Sequence, residues 1–162
     1  MLKKLFGHKE TTTTVLAPVT GERIALDDVP DPVFSQKMMG EGLAIKPATG
    51  EAVAPVDGEV TQLFPTKHAV GLETKTGIEI LVHVGLETVS MDGEGFQSNV
   101  EQGDRVKAGD KLMPFDIDLI NEKASSTITP VIVTNSDQFT VDLLEADHVE
   151  AGVSEVMYIQ GK

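Results

Sequence analysis

This 162-residue sequence predicts an all-β fold: an antiparallel β-sandwich/barrel hybrid with a duplicated β motif and one or two short helices. Three observations carry that expectation. Short runs of alternating or β-branched residues recur at intervals of about ten residues. The 15 glycines and 8 prolines fall largely between those runs, where tight turns need them. Helical periodicity is confined to two brief segments, too short to supply the crossovers of a parallel α/β sheet.

In chain order, residues 1–14 read as a flexible tail and linker. Met1-Leu2-Lys3-Lys4-Leu5-Phe6-Gly7 sets three apolar side chains beside two lysines, a small basic amphipathic patch able to touch an anionic membrane surface. A frayed terminus is the plainer reading. Glu10 to Thr14 is a polar, Thr-rich linker, so residues 15–162 form the expected single domain. Strands are predicted over 15–19, 22–26, 43–46, 52–55, 58–64, 68–73, 78–84, 105–107, 111–116, 129–134, 139–145 and 156–160. One or two helical turns are expected between Asp31 and Met39, and another short helix over Ile117 to Lys123 with Asp116 or Asp118 as its cap. Ala17-Pro18-Val19-Thr20-Gly21-Glu22 and Ala54-Pro55-Val56-Asp57-Gly58-Glu59 share the pattern Ala-Pro-Val-x-Gly-Glu. This echo reads as one strand-turn-strand motif used twice.

Composition narrows the function. A net charge of −13 argues against nucleic acid, whose phosphates require a basic surface, and favours a basic partner. The absence of cysteine excludes disulfides and thiol chemistry and fits a reducing compartment. No apolar stretch approaches the roughly 20 residues of a membrane span, and the N-terminus lacks a signal-peptide core. A cytoplasmic protein is therefore expected.

The candidate chemistry lies in two histidines, His68 and His83, on neighbouring strand-like runs joined by Thr74-Lys75-Thr76-Gly77. If Lys75-Thr76 form a two-residue turn, His68 faces His83, Val70 faces Leu81 and Leu72 faces Glu79. A three-residue loop with Gly77 in a bulge would shift that register by one position. Parity is independent of register: Ile78, Ile80, Val82 and Val84 share one apolar face, whereas Glu79, Leu81 and His83 share the other. An imidazole pair suits either nucleophilic chemistry, one ring reacting while the other holds an anion, or metal ligation. Two surface histidines are the bland alternative. His8 in the tail and His148 in an acidic run have no motif around them.

Several motifs together resemble one family. They are Asp28-Val29-Pro30-Asp31-Pro32-Val33-Phe34, Lys37-Met38-Met39-Gly40-Glu41-Gly42, Pro65-Thr66-Lys67-His68-Ala69, Leu81-Val82-His83-Val84-Gly85-Leu86-Glu87-Thr88-Val89, Gly93-Glu94-Gly95-Phe96 and Gly103-Asp104-Arg105-Val106. In this order they resemble the glucose-family IIA component of the bacterial phosphotransferase system, over about residues 15–145. The resemblance implies a phosphocarrier that accepts a phosphoryl group from the small protein HPr and passes it to a cysteine on the IIB domain of a sugar permease, with no cofactor required. It implies His83 as the acceptor through Nε2, His68 as the phosphoryl contact, Thr66 as hydrogen-bond support, and the Gly85 carbonyl as the group orienting His83. It also implies an apolar docking ring of Val33, Phe34, Met38, Met39, Phe64, Leu81 and Val89 with Asp31 and Glu87 as its acidic rim. For Phe34 and Met39, ordinary core packing is the competing explanation.

Two rival readings stand beside it. Zinc held by His68 and His83, completed by Asp31 or Glu87 or by a partner's carboxylate, would make a zinc-binding protein or hydrolase. A biotinyl- or lipoyl-type carrier domain is suggested by the residues around Ala54–Gly58 and Val100–Asp110, but no Met-Lys-Met occurs and Lys111 simply follows a Gly-Asp turn.

Overall fold

The structure, a computed structural model, describes residues 12–161. The amphipathic patch Met1–Gly7 and the first part of the linker lie outside the described residues. The chain forms β1 (Thr12–Leu16), β2 (Gly21–Ala25), α1 (Pro32–Ser35), β3 (Glu41–Pro47), β4 (Glu51–Val53), β5 (Gly58–Leu63), β6 (Ala69–Glu73) and β7 (Glu79–His83). There follow β8 (Arg105–Val106), β9 (Lys111–Pro114), α2 (Ile117–Lys123), β10 (Thr129–Val133), β11 (Phe139–Leu143), β12 (His148–Val149) and β13 (Glu155–Gly161). Eight strands in the order β12-β2-β3-β10-β7-β6-β5-β8 form the main sheet, accompanied by a three-stranded sheet β1-β13-β11 and the pair β4-β9. Every strand pairing is antiparallel, as the all-β expectation requires. The echoed motifs open β2 and β5, and their copies meet: Leu16 N–H donates to the Pro55 carbonyl at 2.9 Å and Val53 N–H to the Pro18 carbonyl at 2.8 Å.

Three details depart from the sequence reading. The first strand starts at Thr12 rather than Val15, because Thr12–Thr14 pair with Gln160, Ile159 and Tyr158 of β13. β12 is a two-residue strand with exposed His148 opposite Glu22, too short for any alternation to betray it. The histidine hairpin has the three-residue loop: Thr74 accepts from Gly77 N–H at 3.0 Å and donates to the Ile78 carbonyl at 2.9 Å, with Gly77 at φ 91°. Only glycine takes that conformation freely, and the bulge it forms sets the register one position over. Ala69 therefore faces His83, Val70 faces Val82 and Leu72 faces Ile80, in place of the expected His68–His83, Val70–Leu81 and Leu72–Glu79 pairs.

Parity held where register did not. Residues alternating along the central strands divide between two apolar clusters, as successive side chains must on a pleated strand. Leu43 and Ile45 of β3, Val70 and Leu72 of β6, Ile80 and Val82 of β7, and Val131 and Val133 of β10 join the larger core. Ala44, Ala69, Leu81 and Ile132 from the same strands join a smaller cluster with Leu26, Val29, Phe34 and Leu86. Both short helices are capped by aspartates: Asp31 accepts from Val33 N–H at 3.0 Å, ahead of Pro32 at the first helical position, and Asp116 accepts from Leu119 N–H at 3.0 Å. Asp116, not Asp118, is the cap of α2. α1 is a single turn, and it covers the smaller cluster with Phe34.

Candidate functional site

Both histidines stand at strand ends on the edge of that smaller cluster. His83 closes β7, and immediately beyond it the chain turns through Gly85, at φ 80°. His68 closes the β5–β6 connection, a loop tightened by Lys67 in the left-handed region at φ 59° and by Lys67 N–H donating to the Phe64 carbonyl at 2.8 Å. Although the backbone pairs Ala69 with His83, the two imidazoles meet edge to face with ring centroids 4.8 Å apart. His68 has left strict strand alternation at this loop end. Its ring is flanked by Phe64 at 5.3 Å and Phe96 at 6.5 Å, while Phe34 lies 5.1 Å from the His83 ring.

The two rings have different polar surroundings. Nδ1 of His83 lies 2.8 Å from the Gly85 carbonyl oxygen. A carbonyl can only accept, so that nitrogen carries the proton and Nε2 keeps a free lone pair. Nδ1 of His68 lies 2.5 Å from the Thr66 hydroxyl, which can donate or accept. Burial pushes the His68 pKa from 6.5 down to about 4, and the neighbouring His83 adds to that shift. The His83 pKa also falls, chiefly through burial, against the raising influence of its hydrogen bond to Gly85 and of the Asp31 carboxylate. At neutral pH both rings are uncharged, one of them with an available nucleophilic nitrogen.

Around the pair, the residues expected to form a docking ring divide by exposure. Val33, Met38 and Val89 are exposed, Met38 at 69%. Met39 and Phe64 are half-buried against the smaller cluster, and Phe34 and Leu81 are buried within it. Phe34 thus combines core packing with contact to the His83 ring. The Asp31 carboxylate is spent partly on capping α1, and exposed Glu87, in the left-handed region at φ 59°, accepts from the Ser125 hydroxyl. Grooves of about 570 Å³ and 500 Å³ elsewhere on the surface include neither histidine in their linings. Of the pair, His68 is buried and His83 half-buried.

Among the described residues no group of three or more His, Cys, Asp or Glu side chains is arranged to hold a metal ion. Lys111, the residue weighed for a carrier-domain lysine, opens β9 and pairs with Glu51 at 3.6 Å. No helix among the described residues is long and apolar enough to cross a membrane. Sequence reasoning missed Phe96 as a neighbour of His68, and it missed Thr88 and Ser126, which hold the turn after His83. A threonine or serine beside a turn is too common to stand out in one sequence.

The antiparallel β-sandwich carries its histidine pair beside the smaller apolar cluster, and comparison with known proteins identifies its family. The profile of the phosphoenolpyruvate-dependent sugar phosphotransferase system EIIA 1 family matches residues 13–139, and the chain belongs to that family. It is 53% identical over 98% of its length to the PTS system glucose-specific EIIA component of Oceanobacillus iheyensis, covering 99% of that protein. It is 58% identical over 85% of its length to the protein of the same name from Bacillus cereus, covering 84% of it. The solved structure of glucose permease IIA from Mycoplasma capricolum superposes with a TM-score of 0.87 at 44% identity, over 91% of this chain and 95% of that one. The rival carrier-domain reading gives way to this membership.

Proposed function

We propose that this protein carries a phosphoryl group from phospho-HPr to the IIB cysteine of a glucose-class sugar permease, with His83 as the covalent carrier. The observation that supports this most directly is the Gly85 carbonyl 2.8 Å from His83 Nδ1, which leaves Nε2 as the nucleophile. The Nε2 lone pair attacks phosphorus, the new N–P bond forms, and the bond from phosphorus to the donor breaks with its electron pair remaining on HPr. In onward transfer to IIB the thiolate of the cysteine is the nucleophile, and the N–P bond breaks with its electron pair returning to His83 Nε2. The work left to the protein is positioning and charge stabilisation.

His68 supplies the latter. A ring that is neutral because its pKa is near 4 can donate from Nε2 only if the Thr66 hydroxyl donates into Nδ1. Thr66 then fixes the tautomer in which His68 Nε2–H faces the phosphoryl oxygens. Val33, Met38 and Val89, with Met39 and Phe64 behind them, form the apolar contact for both partners, and Phe34 and Leu81 support it from beneath. Asp31 and Glu87 provide the acidic rim. The net charge of −13 accelerates encounter with basic partners. Residues 15–162, extended by Thr12–Thr14 of β1, act as one phosphocarrier domain working as a monomer in the cytoplasm.

Incubation with HPr, enzyme I and phosphoenolpyruvate should add one acid-labile phosphoryl group. His83→Gln should abolish labelling. His68→Gln should still accept the group but pass it poorly to IIB. Labelling that survives His83→Gln would overturn the assignment.

A further inference from the structure

The Gly85 carbonyl can select the His83 tautomer only if its own direction is held, and two contacts hold it. The carbonyl shares a planar peptide unit with the Leu86 N–H, which points the opposite way, and that N–H donates to the Ser126 carbonyl at 2.9 Å. The preceding peptide is held by Thr88, whose hydroxyl donates to the Val84 carbonyl at 2.7 Å. Thr88 is fully buried, one of few polar side chains that are. Its methyl also walls off Gly85: a Cβ on that residue would lie 2.5 Å from Thr88 Cγ2 and 3.0 Å from the Ser126 carbonyl oxygen. Glycine at φ 80° is the residue most free to rotate, so an unheld turn here would let the carbonyl swing.

We propose that Thr88 is a positioning residue that sets the tautomer of His83. Its hydroxyl anchors the Val84–Gly85 peptide, and the Leu86–Ser126 bridge anchors the next one, so that the Gly85 carbonyl remains on Nδ1. Without the hydroxyl the Val84 carbonyl is buried without that partner, the turn relaxes, and the proton divides between the two ring nitrogens. Molecules with the proton on Nε2 have no lone pair there to attack phosphorus. The effect on tautomer stands by itself; its consequence for phosphoryl acceptance rests on His83 being the carrier.

The test compares Thr88→Val, which keeps the shape and loses the hydroxyl, with Thr88→Ser, which keeps the hydroxyl. Nitrogen-15 spectra of histidine-labelled full-length protein at pH 7.5, about one unit above the ordinary histidine pKa, report the tautomer. In the unsubstituted protein and in Thr88→Ser, His83 should carry its proton on Nδ1. In Thr88→Val a substantial Nε2–H population should appear, and the initial rate of labelling by phospho-HPr should fall in proportion to the Nδ1–H population lost. If Thr88→Val does not fold, Thr88→Ala carries the same comparison without steric demand. An unchanged tautomer without the hydroxyl overturns the proposal, as does an equal loss in Thr88→Ser. If the unsubstituted protein is never labelled, the carrier assignment fails while the tautomer result still decides the role of Thr88.

Discussion

The two faces of the main sheet are built from the same strands and do different work. On one face Ile80, Val82, Val131 and Val133 sit in a core that extends across the other sheets. On the other, Leu81 and Ile132 belong to a small cluster thatched by a single helical turn and bordered by two imidazoles. The larger side is closed on itself, and it can be rigid. On the smaller side Val33, Met38 and Val89 are exposed and His83 is only half-buried. One residue of strand phase separates stability from function, as Ile80 and Leu81 illustrate.

That contrast can be broken at several points, in descending order of effect on stability. Ile80→Ala in the closed core should cost about 2–5 kcal/mol, read from urea midpoints, while the folded protein labels at the normal rate. Gly85→Ala, where the faces join, should cost about 1–3 kcal/mol because φ 80° strains any L side chain, and the clash with Thr88 should also depress labelling. If labelling survives Gly85→Ala, the turn matters less to His83 than its geometry indicates.

Acid sharpens the comparison without altering the larger core. Both imidazoles have pKa values below the ordinary 6.5, that of His68 at about 4, because burial disfavours the charged ring. On acidification the unfolded chain takes up these protons first, so stability present above pH 6.5 is lost progressively as the pH falls toward 4. Urea midpoints between pH 7 and pH 5, above most carboxylate titration, should fall, and His68→Gln should make the slope shallower by removing one of the two responsible groups. A slope unaffected by that substitution would assign the acid sensitivity elsewhere. The smallest effect on stability should come from Met38→Ala on the open face, within about 0.5 kcal/mol. There the change should appear instead as slower labelling at low HPr concentration, about fivefold, with the maximal rate preserved.

Much of the architecture was legible because pleated strands impose a period of two on any chain that must bury one face. Each strand segment expected from alternation corresponds to a strand in the structure, and Asp31 and Asp116 marked helix starts by the chemistry of capping. The closeness of His68 and His83, with the Thr66 hydroxyl beside His68, was legible because a short turn joins the two runs that carry them. The two-residue β12 left no such pattern, and the Thr12 start of β1 depended on a partner strand more than a hundred residues away.

What the sequence alone determined, then, was which residues share a face and where an imidazole pair with a neighbouring hydroxyl lies, because both follow from local identity and spacing. The tertiary structure decided the rest. Gly77 in the left-handed region shifted the hairpin so that Ala69, not His68, faces His83, and a tight loop before β6 still brought the rings to 4.8 Å. The tautomer of His83 depends on the Gly85 carbonyl, and the hold on that carbonyl comes from Thr88 and from Ser126 beyond α2. Such contacts join residues distant in sequence through angles and distances that no residue type specifies until the chain has folded.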